Sequence, residues 1–248
     1  MTELVHYAVT DAVATITLDS QHNRNALSRR LVTELFAHLE AAEADEAVRV
    51  VLVQAEGRVF CSGADLTEAS TEGMEVSARR IVELQRLIVT MSKPVVTRVH
   101  GAVRAGGIGI VAASDVAVAA DEATFALTEV KLGLAAAIIS LTVHHRMTPR
   151  AAALTTLGGE VFTGREAATY GLVTTAVPGG ELDAEVGRVC ASLATGAPQG
   201  LRESKRILNR DLVARIDAHG EELAALSARL FASDEAREAM TAFLSRTK

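Results

Sequence analysis

The chain has 248 residues, long enough to bury a substantial core without help from metals or disulfides. Hydrophobic residues make up 49% and charged residues 23%, ordinary globular usage that excludes a disordered or low-complexity protein. A net charge of -6 with no long Lys/Arg run argues against a general nucleic-acid binder, and 3% aromatic residues with no Trp leave no stacking platform for single strands.

The two cysteines, Cys61 and Cys190, lack CxxC spacing, which fits a reducing compartment rather than a disulfide scaffold or a zinc site. The N-terminus shows no basic stretch followed by an apolar one. Apolar runs such as 105–113 and 132–141 contain glycines and fall short of the roughly 20 residues that span a bilayer. The expectation is a cytoplasmic protein with no membrane segment and no nucleic-acid partner.

Val13 to Leu18 alternates apolar and polar residues and includes two threonines, the pattern of a strand with one buried face; residues 5–10 are placed to form a hairpin with it. Leu27, Leu31, Leu35 and Leu39 recur at helical spacing, which predicts an amphipathic helix over 28–43 with Ser28 as its cap. Val48 to Val53 and Val95 to Val99 are compact β-branched runs. Between them a helix carries Ile81, Leu84, Leu87, Ile88 and Met91 on one face. Ala105 to Ser114 reads as a short helix and Asp115 to Ala120 as the next strand, so parallel strands joined by crossover helices follow. After Gly196-Ala197-Pro198 the composition turns to Arg, Glu, Ala and Leu at helical spacing. This predicts a core over 1–195 and a helical region over 196–248, with Gly220 splitting two helices.

Three stretches hold residues suited to chemistry. Phe60-Cys61-Ser62-Gly63-Ala64-Asp65-Leu66 follows a predicted strand and suits either a tight turn presenting backbone N–H groups or an ordinary loop with a helix cap. His100 to Gly109 leads from a strand into a helix, so exposed amides gather at a positive helix end, the makings of an oxyanion site. Gly107-x-Gly109-x-x-Ala112 matches a dinucleotide fingerprint, but the strand ends several residues too early for that context. Glu129 stands among apolar residues, where burial would raise its pKa into a useful range; a surface pair with Lys131 is the plainer alternative. His144-His145 lacks a third ligand at recognisable spacing, Cys61 has no evident His/Asp partner, and Ser62 lacks a GxSxG elbow, so no metal and no covalent catalysis are expected. Lone His100 reads as a packing or hydrogen-bonding residue.

Taken together these stretches resemble the crotonase (enoyl-CoA hydratase/isomerase) superfamily over nearly the whole chain. The resemblance begins at Asn25-Ala26-Leu27-Ser28, continues through 60–66, Gly106-Gly107, Asp115 and Glu129 to Leu134, and extends over Leu157 to Val177 and Arg237 to Lys248. It implies an α/β fold with a core of repeated strand-strand-helix (ββα) turns wound as a superhelix and a C-terminal helical region that forms a trimer or a dimer of trimers. It also implies an acyl-CoA thioester substrate, coenzyme A being part of the substrate and no further cofactor being needed. The Ala64 and Gly106 amides would hold the thioester oxygen, with Gly106 kept small so that the thioester can approach, or simply for close packing. Glu129 would be the acid/base. Asn23, Arg24, Ser62 and Asp65, with Phe243 and Arg246 near the C-terminus, would contact coenzyme A, although a bland helix surface explains the last two equally well.

Family hydratases usually carry a second glutamate where this chain has Gly109. A branch similar to methylglutaconyl-CoA hydratases shares that glycine and an ending like Ile139-Ser140, whereas Ala105 and Ala136 depart from it. Arg104, beside the oxyanion turn, reads as a solvated side chain rather than a contact for an acidic acyl group. The expected activity is hydration of a 2-enoyl-CoA. Δ3-Δ2 enoyl-CoA isomerisation and a catalytically silent acyl-CoA-binding protein are the alternatives, with a dinucleotide enzyme more distant.

Overall fold

The computed structural model describes residues 3–65, 68 and 73–246, with side chains through residue 242. The chain opens with a hairpin of β1 (Val5–Thr10) and β2 (Val13–Leu18), paired from Val5↔Leu18 to Thr10↔Val13. Its two-residue turn places Asp11 and Ala12 at φ 49° and 64°, as a twist-matched tight turn requires at both positions. Ala14, Ile16 and Leu18 point inward and are fully buried, as the period-2 pattern predicts. Then α1 (Arg29–Ala44) starts where Ser28 Oγ accepts from the Leu31 amide at 3.3 Å, and buries Leu31, Leu35 and Leu39.

From here one unit repeats: a long strand, a short strand, a helix. The first is β3 (Val50–Ala55), β4 (Val59–Cys61) and α2 (Met74–Thr90). The second is β5 (Val95–Val99), β6 (Ala102–Arg104) and α3 (Gly106–Ala113). The third has β7 (Val116–Ala120) and β8 (Thr124–Ala126), followed by α4 (Ser140–Arg146) and α5 (Pro149–Gly158). Next come β9 (Phe162–Thr163), α6 (Gly164–Tyr170), β10 (Thr175–Val177) and α7 (Leu182–Ala194). The end is helical: α8 (Pro198–Leu208), α9 (Arg210–Phe231) and α10 (Asp234–Arg246).

Long strands build one sheet, ordered β1-β2-β3-β5-β7-β10, and short strands a second, ordered β4-β6-β8-β9. Beyond the first hairpin the large sheet is parallel, so each connection must cross over, and the helices cover it. The architecture is therefore the expected α/β fold of ββα turns. Helix α3 is apolar on every side because it is a core helix: every residue from Gly107 to Ala113 is buried.

One expectation fails. Gly220 does not split two helices; α9 runs unbroken through it. A Cβ at residue 220 would come within 2.8 Å of Val82 Cγ1, so the glycine is there to let α9 lie close against α2. The break falls at 232–233 instead, between α9 and α10.

The change of texture near residue 196 coincides with the link between α7 and α8, and the helices beyond it are tied to the core by a buried polar cluster. Lys205 Nζ lies 2.7 Å from Asp115 Oδ2 and donates to the carbonyls of Ile88 (2.8 Å) and Lys93 (2.9 Å). Asp115 also accepts from the Val95 amide and from Asn209 Nδ2. Replacing one partner of such a pair strands the other charge out of water. Lys205→Met is expected to cost about 4 kcal/mol and to lower the melting temperature by roughly 10 °C, read by calorimetry.

Candidate active site

Three loops converge at the N-terminus of α3. In the first, Arg24 and Asn25 both take left-handed backbone angles, φ 60° and 54°, which Asn tolerates better than most residues. Asn25 is buried and every polar atom of its amide is used. Its Oδ1 accepts from the Ser20 amide at 2.7 Å, and its Nδ2 donates to the carbonyls of Glu56 (3.0 Å) and Val59 (2.8 Å). This staples the first loop to the link between β3 and β4. The second loop is then pinned to the first: the Ser62 amide donates to Arg24 O at 3.1 Å, and the Leu27 amide to Gly63 O at 2.8 Å.

The third loop closes on both. Gly63 has φ 96°, and a Cβ there would come within 2.8 Å of Ala105 Cβ; a Cβ at Gly106 would come within 2.7 Å of Leu27 Cδ1. Leu27 thus packs against Gly106, as the close-packing alternative has it. Ala105, at φ 45° and ψ -120°, occupies a conformation that glycine normally takes, so strain is stored one residue before the turn's amide.

Ala64, Gly106 and Glu129 all line one cavity of about 270 Å³. Neither the Ala64 nor the Gly106 amide donates a hydrogen bond among the described residues. The rest of the wall is mainly apolar, built by Leu27, Met74, Ile138, Ile139 and Phe231. Glu129 rides on a 3₁₀ turn, Thr128–Leu132, ended by Gly133 in the left-handed region at φ 68°. Its Oε2 is buried with no hydrogen-bond partner, and loss of hydration pushes the carboxyl up to about 7. It is the only carboxylate in the lining of this cavity among the described residues. Among the described residues no ion pair joins Glu129 to Lys131, so the surface-pair reading does not apply.

The other sequence-selected residues fall elsewhere. Asn23 Nδ2 donates to Asp65 Oδ2 at 3.0 Å and Ser62 Oγ donates to Asn23 O at 3.1 Å, so these three lock the first two loops together. None of them lines the cavity, and neither does Arg24, which is exposed. The side chains of Phe243 and Arg246 lie outside the described residues, as does Leu66. Arg104 is not solvated as expected but half-buried, donating to the carbonyls of Val103 (2.9 Å) and Thr124 (2.8 Å). Burial pushes the Cys61 thiol up to about 12, which removes it as a nucleophile. His100 Nε2 bonds to Gly57 O at 2.9 Å, a structural role.

Sequence reasoning missed the walls from the start of α2 and the end of α9, Met74, Ser77, Ser227 and Phe231, because no local pattern brings those segments together. A wider groove of about 590 Å³ lies between α7 and the first strands, but its Arg98 and Asp183 neutralise one another at 2.6 Å. Among the described residues no His/Cys/Asp/Glu group is placed to hold a metal ion, and no helix is long and apolar enough to cross a membrane.

A family model described as enoyl-CoA hydratase/isomerase matches residues 8–248. The "Probable enoyl-CoA hydratase" of Bacillus subtilis (strain 168) is 32% identical, the match covering 98% of this chain and 96% of the relative. The crystal structure of an enoyl-CoA hydratase from Mycobacterium avium superposes with a TM-score of 0.93 at 46% identity, covering 99% of this chain and 98% of the other. That of an enoyl-CoA hydratase/isomerase from Pseudoalteromonas atlantica T6c superposes with a TM-score of 0.88 at 26% identity, covering 98% and 97%.

Two stability predictions follow from the site's geometry. The Glu129 pKa is raised on folding, from 4.5 to about 7, so its contribution to stability is present below about pH 4.5 and lost as pH rises through 7. Glu129→Gln is expected to raise the melting temperature at about pH 8 by about 5 °C, the gain vanishing toward about pH 4.5 in a calorimetric pH series. Ala105→Gly relieves the strained backbone and is expected to stabilise the fold by about 1 kcal/mol, measured by denaturant unfolding.

Proposed function

The chain belongs to the enoyl-CoA hydratase/isomerase family, and from that premise we propose that it adds water across the double bond of a 2-enoyl-CoA thioester, with Glu129 as the single acid/base. The observation that carries this reading is the unpartnered, dehydrated Oε2 of Glu129 in the same cavity as two amides with no acceptor of their own.

The Ala64 and Gly106 amides receive the thioester oxygen, and coenzyme A enters as part of the substrate. The Glu129 carboxylate takes a proton from water as the oxygen of that water bonds to C3. The C2–C3 π electrons move toward the thioester, leaving an enolate whose charge rests on the oxygen between the two amides. Glutamic acid then returns the proton to C2, so one H and one OH have been added and the carboxylate is regenerated. Preorganised donors of this kind lower such a barrier by about 3–4 kcal/mol each in a dry site. A carboxyl with a pKa of about 7 is matched to both halves of the cycle near neutral pH.

Isomerisation of a 3-enoyl-CoA to its conjugated isomer is the second reading. It is favoured by the lone carboxylate, since moving a proton from C2 to C4 needs one base and no water. Assembly into a trimer or a dimer of trimers through the helices beyond residue 196 belongs to the same proposal. It is supported by exposed apolar side chains on α8, Ile207 at 68% and Leu208 at 75%. Coenzyme A contact by Phe243 and Arg246 belongs to the proposal through the family resemblance alone.

Offering the purified protein a conjugated and a non-conjugated enoyl-CoA separates the readings. Loss of the conjugated chromophore is expected, and its appearance instead would identify the isomerase. Binding without turnover of either would identify a silent acyl-CoA-binding protein. For the hydratase, kcat/KM should rise with pH through a midpoint near 7, where Glu129 becomes the base, and fall about 10²- to 10⁴-fold in Glu129→Gln.

A further inference from the structure

On the wall of the cavity, three residues from three elements interlock. Ile139 lines the cavity, yet its own surface is almost wholly buried, because it leans back on α3 at Gly109. A Cβ at Gly109 would come within 2.7 Å of Ile139 Cγ2 and 3.3 Å of Gln85 Oε1. The space beside Gly109 is therefore filled by the isoleucine, with the amide of Gln85 behind it.

Gln85, on α2, is fully buried, and each polar atom of its side chain has work. Nε2 donates to Ile81 O at 3.2 Å, within its own helix, and to Ile138 O at 3.1 Å, on the cavity wall. Oε1 accepts from the buried Thr142 hydroxyl at 2.7 Å, in α4. The wall segment 136–139 has no regular hydrogen-bond ladder of its own; this amide holds it at Ile138 O directly, and the Thr142 hydroxyl bonded to the same amide lies 3.3 Å from Ile139 O. A buried glutamine in an apolar setting is costly unless fully bonded, so the arrangement tolerates one wall position only.

We propose that the Ile139–Gly109 contact, held in place by Gln85, sets how deeply an acyl chain reaches into the cavity: Ile139 is the specificity-determining residue and Gln85 its positioning residue. This rests on the reading that the cavity holds the acyl part of a thioester. The two partners make opposite tests. Removing the Ile139 side chain opens the path toward Gly109 between α2 and α3. Adding a methyl at Gly109 presses on the Ile139 Cγ2 methyl and, since a β-branched side chain has little freedom to turn aside, displaces the wall away from α3 and toward the cavity.

The experiment measures kcat and KM over 2-enoyl-CoA thioesters of increasing length for wild type, Ile139→Ala, Gly109→Ala and Gln85→Leu, with calorimetric binding of the saturated acyl-CoA series alongside. Ile139→Ala is expected to favour longer chains about tenfold relative to wild type, through KM, and Gly109→Ala to disfavour them by a similar factor, each CH₂ step in a fitted pocket being worth about that much. Gln85→Leu is expected to flatten the length profile. The pH midpoint near 7 should stay in all three, because none touches the Glu129 carboxyl. Uniform losses at every length would mean a merely structural role and overturn the proposal, as would shifts of the same sign in Ile139→Ala and Gly109→Ala. Should wild type turn over no enoyl-CoA yet bind saturated acyl-CoAs with a length profile that moves as stated, the proposal stands while the hydratase reading falls. Absence of any acyl-CoA binding would overturn both.

Discussion

Keeping a carboxyl group away from water is the constraint around which this molecule is arranged. Among the described residues Glu129 has no salt-bridge partner, and its Oε2 no hydrogen bond, so the fold bears the cost of dehydration directly, about 3 kcal/mol at neutral pH for a shift of this size. A burden of that order is a sizeable part of the stability of an ordinary domain. The same dehydration places the proton affinity of the group where it can both accept and return a proton. Stability and chemistry are opposed at this one residue.

The opposition is sustained because the surrounding loops are over-determined. The Asn25 amide satisfies three backbone polar groups at once, and Leu27 links the second loop to the third by a hydrogen bond on one side and packing on the other. The strained turn at Ala105 persists for the same reason: neighbouring contacts outweigh its preferred angles. Topology helps as well. The second and third loops follow adjacent short strands, β4 and β6, which pair in parallel, so they emerge side by side at one end of the smaller sheet. Distant parts of the chain then complete the enclosure, α2 from one side and the end of α9 from the other.

Much of this was legible before any coordinates. Leucines at helical spacing marked α1 and its serine cap, β-branched runs marked the parallel strands, and an acid among apolar neighbours marked Glu129. The errors share a cause. Gly220 reads locally as a helix end but is a contact between helices, and Arg104 reads as solvated but reaches carbonyls on its own sheet. Apart from these errors, Asn23, Ser62 and Asp65, expected as coenzyme A contacts, have a second use in the fold, since they bond to one another. In each case the residue type was informative, but the partner lay far along the chain.

What the residue order alone establishes here is the succession of strands and helices and the kinds of group available for chemistry. Both rest on short-range periodicity and on side-chain functional groups, which do not depend on distant contacts. The depth of burial of Glu129, the meeting of Ala64 with Gly106, and the filling of the space beside Gly109 by Ile139 had to await the packed fold. Hydration and close contact are properties of surroundings, and the surroundings of these residues come from segments tens of residues away.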